Sequence, residues 1–79
     1  MSTVTIYYVQ PFWRAAPTKL ARGGLRKFHS LADARRVASA AARRNAGVIV
    51  YQVEGWPEFD TWKPPSLIDV HGQVPDVRF

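Results

Sequence analysis

The first apolar positions of the chain follow a two-residue period. Val4, Ile6 and Tyr8 fall on one side of an extended segment, and Thr3, Thr5, Tyr7 and Val9 fall on the other. β-branched and aromatic residues suit such a pleated surface, so a strand is predicted over residues 3–10, ending where Pro11 withdraws a ladder donor. Pro11 to Gly24 holds two prolines, adjacent glycines and no period, which predicts a basic loop at about 11–24. Leu25 to His29 reads as a short second strand.

The period then changes. Ser30 offers an N-cap oxygen, Asp33 suits the positive end of a helix, and alanine dominates through Ala46. A helix is predicted over residues 31–46, with Arg43 and Arg44 in its last turn and Gly47 as a left-handed stop. Leu31, Ala34, Val37, Ala38, Ala41 and Ala42 share its apolar face, while Arg36 and Arg43 line the opposite side with Arg35 and Arg44 on its flanks. Alanine on the buried face implies a close approach to a sheet. Residues 47–54 form a near-continuous apolar run that predicts a central strand with Ile49, Tyr51 and Val53 facing the helix. An aromatic, proline-rich loop at about 55–66 follows, then a last strand from Leu67 to Val70 and an irregular tail.

The fold expected from this order is α+β: a single helix packed on an antiparallel sheet of three to four strands, in one compact domain spanning residues 1–79. Its expected core comprises Val4, Ile6, Tyr8, Leu31, Ala34, Ala38, Ala41, Ile49, Tyr51, Val53 and Ile68. A short sheet with apolar strands also leaves an edge that a homodimer would cover.

Charge sharpens the picture. Residues 14–44 hold nine of the eleven cations and one carboxylate, Asp33, a local balance of +8. Residues 45–79 carry Lys63 and Arg78 against five carboxylates. A basic segment of this density suits acidic partners and excludes an acidic mimic of nucleic acid. The absence of cysteine excludes a disulfide framework and a thiolate nucleophile. No stretch is long and apolar enough to span a bilayer, and Met1 to Val4 lacks the opening of a secretory signal, so a soluble, cytoplasmic protein without membrane contact is expected.

Candidate chemistry is sparse. His29 adjoins Ser30, which already serves as a cap, and Asp69 with His71 supplies only two of the three ligands a hydrolytic metal site needs. Glu58 and Asp60 read as solvated loop carboxylates, and Gly23-Gly24 is a turn signal rather than a phosphate loop. No catalytic residue, metal or cofactor is expected, and the protein reads as a binder rather than an enzyme. The expected contact residues are Arg35, Arg36, Arg43 and Arg44 on the helix, an arginine stripe without glutamate partners at four-residue spacing. Arg14, Lys19, Arg22, Arg26 and Lys27 extend it, and Trp56 and Trp62 are candidate anchors. Two partners compete for this surface. Nucleic acid would need aromatics on an open sheet face, where Tyr7 is the candidate, but the basic-aromatic strand motifs of RNA-recognition sheets are missing. An acidic protein surface needs only the cations, and this is the reading favoured by the sequence.

Three segments carry a resemblance. Tyr7-Tyr8-Val9-Gln10-Pro11-Phe12, the helix from Ser30 to Ala38, and Ala46 to Tyr51 leading to Gly72-Gln73-Val74-Pro75-Asp76 resemble small uncharacterised bacterial proteins that occur in or near phage-derived elements. In size and style the chain also resembles phage-encoded anti-CRISPR inhibitors, compact domains that block a defence complex by binding it. That resemblance implies a CRISPR surveillance complex as partner and an inhibitory function exerted through the basic surface. It implies no residue-level role, because such inhibitors share no motif.

Overall fold

The structure, a computed structural model, describes residues 3–76. Met1, Ser2 and residues 77–79, including the Arg78 of the charge count, lie outside the described residues. In chain order the elements are β1 (Val4–Ala16), β2 (Lys19–Arg22), β3 (Arg26–Phe28), α1 (Leu31–Ala42), β4 (Gly47–Trp56), a 3-10 turn over Pro57–Phe59, β5 (Thr61–Trp62) and β6 (Ser66–Gly72). One helix on an antiparallel sheet is the predicted class, but the sheet has six strands rather than three or four. The long strands β1 and β4 pair at its centre, from Val4 opposite Gly55 to Phe12 opposite Gly47. β3 and β2 follow one another along the outer side of β1, and β5 and β6 along the outer side of β4.

The predicted loop at 11–24 is a hairpin instead. β1 continues through Pro11 to Ala16, turns at Pro17-Thr18 and returns as β2. Proline is tolerated inside β1 because of where it falls. Along that side of β1, the β3 pairing stops at Val9 and the β2 pairing starts at Phe12, so Pro11 faces the gap between them. There Gly23 N–H donates to the Pro11 carbonyl at 2.9 Å. The Gly23 carbonyl, which a backbone N–H at position 11 would have met, accepts from Gln10 Nε2 at 2.9 Å instead. Gln10 also donates to the Pro11 carbonyl at 2.9 Å, which satisfies the amide of a side chain that is 8% exposed.

α1 starts as predicted, with Ser30 Oγ accepting from Asp33 N–H at 3.3 Å, but it ends at Ala42. Arg43 and Arg44 donate backbone N–H groups to Ala40 and Ala41 in a tightened exit, and Asn45 Nδ2 donates to the Ala41 carbonyl at 2.9 Å. These bonds satisfy the orphan carbonyls that a left-handed glycine would otherwise serve. Gly47 therefore begins β4 rather than stopping the helix. Its small size serves a close approach, because a methyl group there would meet the Gln73 carbonyl and the Val74 side chain. The chain reaches that position through Gly72, whose φ of 65° is left-handed.

The faces of the sheet are the reverse of the expectation. Val9, Val48 and Val50 pack beneath Ala34 and Ala38, with Tyr7, Phe28 and Ile68 at the margin. Ile49, Tyr51 and Val53, predicted to face the helix, lie on the other side with Val4, Ile6 and Tyr8. The alternation itself holds, and the side taken by the helix follows from volume. A helix lined by fully buried alanines comes too close to the sheet for paired tyrosines and matches a flat valine surface. Ile6, Ile49 and Phe12 are nonetheless buried on the far face.

Candidate functional site

The sheet face away from α1 has no second layer among the described residues, and its side chains form a groove. Register across the sheet places Lys27, Tyr8, Tyr51 and Leu67 in one row over β3, β1, β4 and β6. The Tyr8 and Tyr51 rings stack across the strands with centroids 5.2 Å apart and planes inclined by 21°. With Leu25, Val53, Trp62 and Pro65 they line an open groove of about 420 Å³. Gly55 makes room for one wall, since a side chain there would strike Trp62, its partner in the ladder. Leu25, Trp62, Leu67 and Val70 are each 40–50% exposed around this face.

The charged strand positions on this face are all cationic. Lys27 stands on the Tyr8 rung and Arg22 on the Phe12 rung, both on the open side. The strand carboxylates Glu54 and Asp69 stand opposite Thr5 and Val50, on the helix side. No carboxylate therefore occupies a strand position of the open face among the described residues. Burial, and after it the neighbouring Tyr8, push the Tyr51 hydroxyl above its ordinary pKa, while the Arg22 guanidinium pulls the other way. Tyr51 is thus neutral at physiological pH, with a polar tip on an apolar wall.

The expected contact residues are dispersed. Arg35 donates to Asp69 Oδ2 at 2.9 Å and Arg36 to Asp33 Oδ1 at 2.8 Å, so half of the stripe expected to be unpartnered has a carboxylate. Arg43 and Arg44 lie beyond the helix end, exposed and without a carboxylate partner among the described residues. Arg26 covers the Phe28 ring at 5.4 Å on the helix side, and Arg14 donates to Pro17 O at 2.8 Å and to Gln73 Oε1. Lys19 is exposed near the hairpin turn. Trp62 lines the groove, whereas Trp56 lies under Lys63, whose Nζ is 5.6 Å from its ring and 2.6 Å from Glu54. Tyr7, the sequence candidate for base stacking, packs against the core.

The Tyr8–Tyr51 platform is the feature that sequence reasoning misses. The alternation puts both residues in the expected core, and the signal that could reveal them is that β1 and β4 are apolar on both faces while one helix covers only one. Asp69 and His71 do share the helix side of β6, but Asp69 is held by Arg35. No group of three or more His, Cys, Asp or Glu able to hold a metal occurs among the described residues. No helix among the described residues is long and apolar enough to cross a membrane. No family model, curated protein or solved structure matches the chain.

Proposed function

We propose that the chain is a non-catalytic binding protein that takes single-stranded nucleic acid on the open face of its sheet. The observation that carries this reading is the stacked Tyr8–Tyr51 pair in an apolar groove, bordered by Arg22 and Lys27 and free of strand carboxylates among the described residues. Bases have apolar faces that stack on such rings, at about 1–3 kcal/mol per base, and phosphates follow the cations. The sequence pattern favours a protein partner because it shows no stacking platform, and the tyrosine pair removes that preference.

Fluorescence anisotropy of a labelled oligothymidylate at several salt concentrations tests it. Expected is salt-sensitive binding with a log–log slope of about −0.7 per phosphate contacted, weakened by Lys27→Glu and by Trp62→Ala. Binding that is absent or indifferent to both substitutions overturns it.

A second reading is the inhibitor, which blocks a CRISPR effector complex by docking the basic surface on an acidic protein. Arg43 and Arg44, exposed without carboxylate partners among the described residues, favour it. Its test is recovery of such a complex from cells by the wild type and its release by Arg36→Glu/Arg43→Glu, with oligonucleotides left unbound.

A further inference from the structure

β1 and β2 outrun the rest of the sheet. β4 accompanies β1 only as far as Phe12, and from Trp13 to Ala16 the ladder partner is β2 alone among the described residues. The projection helps to make the molecule long and narrow, 47 × 23 × 17 Å. It is a two-stranded ribbon with exposed Trp13, Arg14, Lys19 and Arg22. Ala15, Ala16 and Ala21 keep it slim. No Asp or Glu precedes Asp33 in the chain, so the ribbon has cations and no carboxylate.

An isolated hairpin is marginal in water, and in this one Trp13 to Ala16 of β1 are all exposed. Arg14 braces it, donating to Pro17 O across the turn at 2.8 Å and to Gln73 Oε1 of the segment after β6. Four residues beyond Phe12 give a reach of about 14 Å at roughly 3.4 Å per residue. The B-form major groove is about 12 Å wide and 8.5 Å deep and admits a two-stranded ribbon, whereas the A-form major groove of RNA is too narrow. The Arg14 position lies six residues along β1 from Tyr8, about 20 Å.

We propose that this hairpin enters the major groove of a DNA duplex while the open face holds the strand leaving it, so that the preferred ligand is a duplex with a single-stranded tail. The second half rests on the function proposed above; the hairpin's role does not. Three labelled probes separate them: a blunt DNA duplex, an oligothymidylate, and the same duplex carrying an oligothymidylate tail. The tailed duplex should bind at least about tenfold more tightly than either part, since two linked sites act together. Lys19→Glu, near the turn and outside the Arg14 brace, should weaken both duplex probes, reduce their salt slope by about 0.9, and leave the oligothymidylate unaffected. Arg14→Ala/Lys19→Ala should act in the same direction. A tailed duplex bound no better than the oligothymidylate, or a Lys19→Glu loss equal on all three probes, overturns the assignment. Loss of oligothymidylate binding together with Lys19-sensitive duplex binding would refute the open-face reading and support the hairpin.

Discussion

Gln10 stands in for a backbone donor that Pro11 lacks, and this replacement of one amide by another is measurable. Gln10→Met keeps the length and approximate volume of the side chain but removes its N–H groups. Pro11 O would still receive the Gly23 N–H at 2.9 Å, so the carbonyl orphaned is that of Gly23. An unsatisfied, partly buried carbonyl costs about 1–3 kcal/mol, and Gly23 is half-buried, which places the expectation near the middle of that range, about 2 kcal/mol. For a domain of this size that lowers the thermal midpoint by about 8–16 °C. The decisive measurement is a double-mutant cycle by urea denaturation. Pro11→Ala alone should destabilise by about 0.4–1 kcal/mol, because φ is freed in the unfolded chain and the restored N–H only shares a carbonyl that Gln10 Nε2 already satisfies. In the Gln10→Met background the same N–H has a vacant acceptor, so the coupling should favour the double variant by about 1 kcal/mol. Equal costs of Pro11→Ala in the two backgrounds would refute the reasoning, even if Gln10→Met alone were destabilising.

Two further outcomes follow from packing and burial. Ala38 is fully buried between α1 and the valines of the sheet, so Ala38→Leu should cost about 1–3 kcal/mol by overpacking, measured by urea denaturation. The raised Tyr51 pKa means that the unfolded chain loses this proton first as pH rises past its ordinary value of 10.0. Stability tied to Tyr51 is therefore intact below about pH 10 and is lost as pH climbs through the folded value; Tyr51→Phe should flatten that alkaline decline in pH-dependent unfolding.

Much of the fold is legible in the sequence because local signals agree. Ser30 and Asp33 mark the helix start, and the Gly47–Val53 run marks the central strand. The hairpin is illegible because Pro11, Pro17 and the alanines between them erase the two-residue period, and the compensating contact comes from Gln10 to Gly23, thirteen residues away. The candidate face is illegible for another reason. Alternation sorts residues into two sets but does not say which set a helix covers, and that choice depends on alanine-to-valine proximity across the core. The pairing of Arg35 with Asp69, 34 positions apart, is likewise invisible until β6 is placed against β4.

The central ladder also fixes the order in which the molecule can assemble. Its innermost rung joins Phe12 to Gly47 and its outermost joins Val4 to Gly55, whereas the β1–β2 rungs join near neighbours such as Arg14 and Leu20. Loop closure disfavours the distant pairs, so the short-range contacts of α1 and the hairpin close first but stay marginal until the two central strands pair. During synthesis, β1 leaves the ribosome with both apolar faces bare, and the segment that must cover its inner edge does not exist until residue 55 has been made. Throughout that interval the exposed chain has cations and aromatics and little to neutralise them. Refolding should accordingly be slow compared with a helical domain of the same length, and rate-limited by β1–β4 docking.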